Sequence, residues 1–386
     1  MMTIAFDAQP LLDEKLTGIG YNQVFSVKKL VKNHSENKYI FKFFSMRKNR
    51  EKMSQLQPYI KNNGFLDNCR IFSNMLYRMI TLVIPLPYGM FFSKKADIYH
   101  FFNYYLPPFV PGKRVLTIHD LVFRTYPETM SYKTRIALKL CFKKSVKRAD
   151  LIITVSDFTK KQLLHFYPEF ANKRIETIFN CVDTDLYKKA EPSVIKDVLS
   201  RYKINDDYIL FLGTLEPRKN LERLLEAYAD VKKKNTNCPM LVIAGKRGWL
   251  FESIFETVKR FDLADSVIFT GYIPCSDKPA LLSGARAFCF PSLFEGFGMP
   301  VLEAMACETP VLTSNAASLP EVCGDAAVYV DPFSVSDIEQ GLTKICFDDN
   351  LRKELVKKGR ERVNFFCWDR EIEKLNNLYR ELVGKW

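Results

Sequence analysis

The sequence predicts an α/β protein built on two doubly wound, mostly parallel sheets, and three observations lead there. A chain of 386 residues exceeds the size at which one core keeps growing, so two domains of roughly 150 to 200 residues are expected. Short apolar runs alternate with amphipathic stretches along both halves, the rhythm of parallel strands joined by crossover helices. Between Lys188 and Asp207 the texture turns polar and charged, which marks a boundary.

Taken in order, the predicted strands of the first half are Thr3 to Ala8, Tyr39 to Phe44, Ile98 to Phe101, Val115 to Ile118, Leu151 to Val155 and Ile175 to Ile178. Most feed a turn and then a helical pattern. The second half starts afresh at Tyr208-Ile209-Leu210-Phe211-Leu212. It continues with Met240 to Ala244, Val267 to Phe269, Ala287 to Phe290, Val311 to Thr313 and Ala327 to Val330. Trp368 to Val383 reads as a charged amphipathic helix. The expected division is a first domain at 1–187, a linker at 188–207, a second domain at 208–367, and a terminal helix at 368–386 crossing back toward the first domain.

Composition narrows the class. Hydrophobic residues make up 47% of the chain, enough for two full cores. The cysteines run from Cys69 to Cys367 without a Cys-x-x-Cys pair, and there are only 4 histidines, so zinc is not expected and reduced thiols of a cytosolic protein are. Met1 to Asp7 lacks a basic region followed by an apolar core, and reads as a strand rather than a secretory signal. No apolar run reaches the roughly 18 to 20 residues that span a bilayer. The nearest, Met79 to Phe92, is broken by Pro85 and Pro87. A net charge of +13 favours anionic partners without choosing among lipid, nucleic acid and polyphosphate.

The most informative stretch is Phe294 to Ala306. It sets Glu295 in a loop, follows it with Gly296, Phe297 and Gly298, and starts a helix near Pro300, a residue suited to the first helical position. Glu303 falls in the first turn. Glycines let a ligand approach the backbone, and the amides of Gly298, Met299 and Val301 at the helix start favour an anion. Carboxylates suit hydroxyls, so the stretch reads as a site for a polyhydroxylated, phosphorylated ligand. Gly213 to Asn220 follows a predicted strand and precedes a helix, the place where open α/β sheets put ligands. It carries Arg218 and Lys219, a fork and a point charge for phosphate oxygens.

These residues resemble the retaining glycosyltransferase family four, of the mannosyltransferase-like group 1 kind. The order Pro291-Ser292, Glu295-Gly296-Phe297-Gly298, Glu303, Thr309-Pro310-Val311 and Pro320-Glu321-Val322 matches that family. The resemblance implies the GT-B fold, two Rossmann-like domains facing a cleft. It implies a nucleotide-sugar donor, a glycan or lipid-linked acceptor, and no metal. Arg218 and Lys219 would hold the diphosphate, backbone around Ile273 in Gly271-Tyr272-Ile273-Pro274 the base, and Glu303 the ribose. Glu295 with the amides from Gly296 through Phe297 and Gly298 to Met299 would hold the transferred sugar. Ser292 is left unassigned, because serine is too common to single out.

The first half carries weaker motifs. Gly18-Ile19-Gly20 follows the first strand as a flexible loop for the donor phosphate or acceptor, although family members place two adjacent glycines and a later Arg there. His119, in Leu116-Thr117-Ile118-His119-Asp120-Leu121, resembles mannosyltransferase members and would meet the donor sugar through backbone or ring. Asp120 would orient that turn or bind acceptor, and His100, at another strand end, is expected to face the acceptor. His34 and His165 are read as surface or packing residues. Asp183-Thr184-Asp185 has the spacing of a metal motif but lies in a turn that resembles a bracing element, so no metal role is assigned. Basic runs at Lys42 to Lys52 and Lys139 to Arg148, with Phe91-Phe92, Phe101-Phe102 and Tyr104-Tyr105, are expected to seat the protein peripherally on an anionic membrane from the cytoplasm.

The activity expected is transfer of a hexose, mannose from GDP-mannose first, with a UDP-sugar donor as the alternative. Two readings of other classes are weaker. A nucleotide-sugar epimerase needs acid and base groups on both sides of the sugar, where the chain offers little beyond His119. A nucleic-acid binder has no use for Glu295, Glu303, Arg218 and Lys219 together.

Overall fold

A computed structural model describes residues 1–12, 18–46, 56–57 and 63–384. The described chain forms two compact units. One comprises residues 1–125, 132–180 and 368–386, the other residues 126–131 and 181–367.

The first unit holds β1 (Thr3–Asp7), β2 (Lys38–Phe44), β3 (Gly64–Cys69), β4 (Ile98–Phe101), β5 (Lys113–Ile118), β6 (Leu151–Thr154) and β7 (Ile175–Thr177). They form one sheet in the order β3-β2-β1-β4-β5-β6-β7, every pairing parallel. The second unit holds β8 (Tyr208–Leu212), β9 (Met240–Ala244), β10 (Val267–Gly271), β11 (Ala287–Phe290), β12 (Val311–Ser314) and β13 (Ala327–Val330). Its order is β10-β9-β8-β11-β12-β13, again parallel throughout. β4, β6, β8, β11 and β12 are buried along their whole length, which is why they read as continuous apolar runs rather than alternating ones. In each sheet the winding reverses beside the first strand, between β1 and β4 and between β8 and β11.

The expectations of two α/β domains and of the strands hold, with one addition and two differences. β3 escapes the sequence pattern because Asp67 and Asn68 interrupt it. Asp67 is buried there, accepting from Lys42 Nζ at 2.7 Å and from the amides of Ser93 and Lys94. That pair corrects the reading of Lys42 as the start of a basic membrane-facing run: it is 1% exposed. Residues 47–52 of that run lie outside the described residues. The expected aromatic anchors Phe92, Phe101, Phe102 and Tyr105 are likewise core, because they fill the space between the sheet and its covering helices.

The stretch expected as a linker, 188–207, carries the helix Pro192–Arg201 and belongs to the second unit. Arg201 and Tyr202 there both bind the carboxylate of Asp277. Polar residues suggested a linker, whereas here they make the packing contacts. The helix Trp368–Leu382 packs within the first unit against the helix Gly18–Asn33. Asn376 binds His34 and Asn37, and the Glu371 carboxylate accepts from the amide of Phe179 at 3.0 Å. No described helix is long and apolar enough to cross a membrane.

Candidate active site

In the second unit the reversal of winding sends two loops out side by side. From β8 the chain runs through Gly213 to Glu216, makes a tight 3-10 turn at Pro217–Lys219, and passes Asn220 in the left-handed region (φ 61°) before the helix Leu221–Lys234. Asparagine tolerates that backbone, and its side chain is buried, donating to the carbonyls of Pro291 at 3.0 Å and Pro332 at 2.7 Å. From β11 the chain runs through Pro291 to Gly298 into the helix Met299–Ala306. Gly298 has φ 102°, a backbone that favours glycine, and a Cβ there would lie 2.7 Å from Leu319 Cδ2 and push that side chain aside. The amide of Leu293 donates to the Arg218 carbonyl at 2.9 Å, tying the loops together.

Between them lies an ionic cluster. Lys219 Nζ donates to Glu295 Oε1 at 2.6 Å, and Arg218 Nη1 lies 3.0 Å from Glu295 Oε2. Ser292 Oγ donates to the same Oε1 at 2.7 Å. Arg218 also reaches Glu216 at 2.6 Å and the Phe294 carbonyl at 2.6 Å. Burial alone would raise the Glu295 pKa, but the two cations and Ser292 hold it down at about 2. Lys219 is lowered, by burial first and by Arg218 second. The cluster thus has two carboxylates opposite two cations, each side preset by the other.

Sequence reasoning placed Arg218, Lys219 and Glu295 but missed what holds them. Glu216 and Ser292 belong to the cluster. Ser318, from beyond β12, donates from Oγ to the carbonyls of Glu295 and Phe297, both at 2.9 Å. No motif in the sequence around it marks that role. One expected donor is corrected: the Val301 amide is taken by the Gly298 carbonyl at 3.1 Å, because the helix starts one residue earlier than Pro300 suggests.

Glu303 sits on the second turn of the helix Met299–Ala306. Burial pushes its carboxyl up, while Lys278 and a hydrogen bond from Tyr187 act against it. Tyr187 arrives there because Asp183 closes the preceding turn: its side chain accepts from the Asp185 amide at 3.2 Å and its carbonyl from the Tyr187 amide at 2.7 Å. The Asp-x-Asp pattern is therefore a brace. Ile273 is buried just past β10, next to the exposed Tyr272, after Gly271 at φ 73°.

The first unit places its candidates differently. Gly18 and Gly20 are not a loop but the opening residues of the helix Gly18–Asn33. His119 directly follows β5, is buried, and donates from Nε2 to the Phe102 carbonyl at 2.7 Å. That carbonyl also accepts from Gln23 Nε2 at 3.0 Å, while Gln23 Oε1 has no partner among the described residues. Asp120 accepts from the Val122 amide at 3.1 Å and so shapes its turn. His100 is corrected outright. It is 2% exposed, with Nδ1 at 2.6 Å from the Tyr379 hydroxyl and Nε2 at 2.7 Å from Thr117 Oγ1. Burial, then His119, lowers its pKa to about 3. A strand end beside aromatics looked open; the terminal helix covers it.

Two parallel-sheet α/β units with a preset ionic cluster at one switch point have the architecture of the GT-B fold. The comparisons with known proteins agree. Residues 200–362 match the model described as glycosyl transferases group 1, and residues 65–186 the model described as glycosyltransferase family 4. O-antigen chain mannosyltransferase B of Escherichia coli is 34% identical over 289 residues, 75% of either chain. The serotype-specific mannosyltransferase WbdA of Escherichia coli is 31% identical over 67% of this chain, which spans 32% of that longer protein. The crystal structure of HepE from Anabaena, in complex with UDP and glucose, superposes with a TM-score of 0.71 at 16% identity, covering 99% of this chain and 100% of that one. The chain belongs to the group 1 glycosyltransferases of family 4.

Proposed function

We propose that the chain transfers mannose from GDP-mannose, with retention at the anomeric carbon, to a polysaccharide or lipid-linked glycan. The observation that carries the reading is the Glu295 cluster: an ionised carboxylate and two basic side chains preset beside a helix start. Mannose is preferred because the relative at 34% identity is named an O-antigen mannosyltransferase.

In this reading the diphosphate meets Arg218, Lys219 and the amides of Gly298 and Met299. Entering there, it competes with Glu216 and Glu295 for the same guanidinium, so binding exchanges one ion pair for another instead of stripping water from a free cation. Glu295 and the backbone from Gly296 to Met299 take the hexose, Glu303 the ribose, and backbone near Ile273 the base. The helix start at Gly18 and Gly20 takes phosphate or acceptor. His119 is assigned to the sugar, by backbone or ring, and Asp120 to the acceptor turn.

The bond from the anomeric carbon to phosphate breaks while the acceptor oxygen bonds the same carbon from the same face, its proton passing to the leaving phosphate oxygen. Glu295 is a poor nucleophile, since both its oxygens are already held by cations and Ser292. The two cations supply the charge that a metal brings elsewhere, so the reading needs none. A peripheral contact with an anionic membrane at its cytoplasmic face completes it.

Thermal stabilisation by GDP, UDP, ADP and their sugars tests this. A shift with GDP-mannose that Arg218→Ala and Glu303→Ala abolish supports it. A UDP-specific shift keeps the transferase and replaces the donor, the second reading, which the UDP and glucose complex of HepE favours.

A further inference from the structure

On the first unit, two helices leave apolar ridges in water. The helix Asn74–Val83 turns Tyr77 and Thr81 inward and leaves Met75 72%, Met79 55% and Val83 83% exposed, one residue per turn along a single face. The helix Tyr132–Arg148 does the same with Tyr132 at 67%, Ile136 at 38% and Leu140 at 53%. Both are fastened to the same short segment. Thr81 of the first bonds the Tyr105 hydroxyl, and Ser145 of the second accepts from the Leu106 amide at 3.0 Å. Four residues on, Phe109 is 66% exposed. The two helices join β3 to β4 and β5 to β6, crossing the sheet order in the same direction, so right-handed connections place both on one side of the sheet and their exposed ridges on its outer surface.

Its charge is predominantly positive, although Asp7 lies near Arg78 and Glu169 pairs with Lys143. Between Asp67 and Asp97 the sequence has no acidic residue but has Arg70, Arg78, Lys94 and Lys95. Between Glu128 and Asp150 it again has none, against basic residues at 133, 135, 139, 143, 144, 147 and 148. Arg70, Lys94, Lys95, Lys139 and Lys144 are exposed. Apolar ridges bordered mainly by cations, with Glu169 paired to Lys143 as a local exception, are complementary to the headgroups and upper acyl chains of an anionic bilayer, and poorly matched to a second copy of the same positive face.

We propose that this face, formed by the helices Asn74–Val83 and Tyr132–Arg148 with Phe109 between, lies on an anionic lipid bilayer. It rests on the membrane contact in the proposed function but replaces the anchors: Phe92, Phe101, Phe102 and Tyr105 are core, and the inserting side chains are those of the two ridges.

The test is co-sedimentation of the full chain with vesicles of phosphatidylcholine, with and without a third of phosphatidylglycerol, at low salt and in 0.5 M salt (about threefold and more above physiological screening). The probe variant is Met79→Asp with Leu140→Asp, both on the surface and outside the donor site. Expected is binding to anionic vesicles at least about tenfold above neutral ones, weakened by salt, and about tenfold lower again in the variant. The nucleotide-induced thermal shift should be the same in both proteins, which shows the variant folded. Equal binding to both vesicles, or unchanged binding by the variant, overturns the proposal. So does self-association of the unaltered chain that the variant loses without any vesicle binding, which gives the face to a second copy. Failure of the donor reading appears separately, as absence of any nucleotide shift.

Discussion

The two switch points of this protein are built alike and furnished in opposite ways. Beside β8 and β11, charged side chains lie against one another: Glu295 is depressed to about 2 between Arg218 and Lys219. Around β4 and the end of β5, two imidazoles are kept neutral. His100 is lowered to about 3 and bonded to hydroxyls, and His119 is lowered by burial and bonded to a carbonyl. Charges held by opposite charges can be handed over to a charged ligand. Neutral imidazoles buried against hydroxyls hold a helix in place and have little to hand over.

Four experiments press on that contrast. The largest effect is expected from Arg218→Ala, which should lower kcat/KM with the donor by about two to three orders of magnitude, the usual cost of losing one preset charge partner in a transfer step. His100→Gln should leave turnover per folded molecule unchanged in the same assay, and equal losses would erase the distinction.

Next is stability. Glu295→Gln leaves the buried Lys219 without its counter-charge, while the part-buried Arg218 keeps Glu216, and should cost roughly 3 kcal/mol in urea unfolding. The sign with pH follows from a folded pKa below the ordinary 4.5: the stabilisation is complete above that value and is lost as pH falls toward about 2, and the variant should lack this loss.

His100 gives a window of the same sign at higher pH. Its folded pKa of about 3 lies below the ordinary 6.5, so the unfolded chain binds the extra proton between those values and stability declines as pH falls from 6.5 toward 3. His100→Gln should flatten that decline and cost about 1 to 3 kcal/mol at neutral pH, read by the same unfolding curves.

The smallest effect belongs to Tyr187→Phe. Removing one hydrogen bond to Glu303 should raise the KM for donor about two- to tenfold with kcat unchanged, whereas an equal fall in kcat would place Tyr187 in the chemistry.

The contrast also explains what could be read beforehand. The β11 loop was legible because its chemistry is contiguous: Glu295, Gly298 and Glu303 lie within nine residues, and a left-handed glycine before a helix leaves a mark in sequence. Parallel strands buried on both faces announced both sheets. What stayed hidden depends on distant partners. Tyr379 lies 279 residues from His100, and Ser318 acts through backbone carbonyls 21 and 23 residues away. Gly18 and Gly20 misled because glycine marks loops, yet here a helix tolerates two at its beginning. Asp67 hid β3 because a buried ion pair let a carboxylate sit where an apolar residue is expected.

The helix Trp368–Leu382 belongs to the first unit although the chain builds it after all of the second. During synthesis, residues 1–180 leave the ribosome with His100, His34 and Asn37 still lacking the partners Tyr379 and Asn376 bring. The unit made first is thus closed last. Until that helix is made, the helix Gly18–Asn33 lacks the neighbour it packs against and the buried polar groups of His100, His34 and Asn37 wait for their partners.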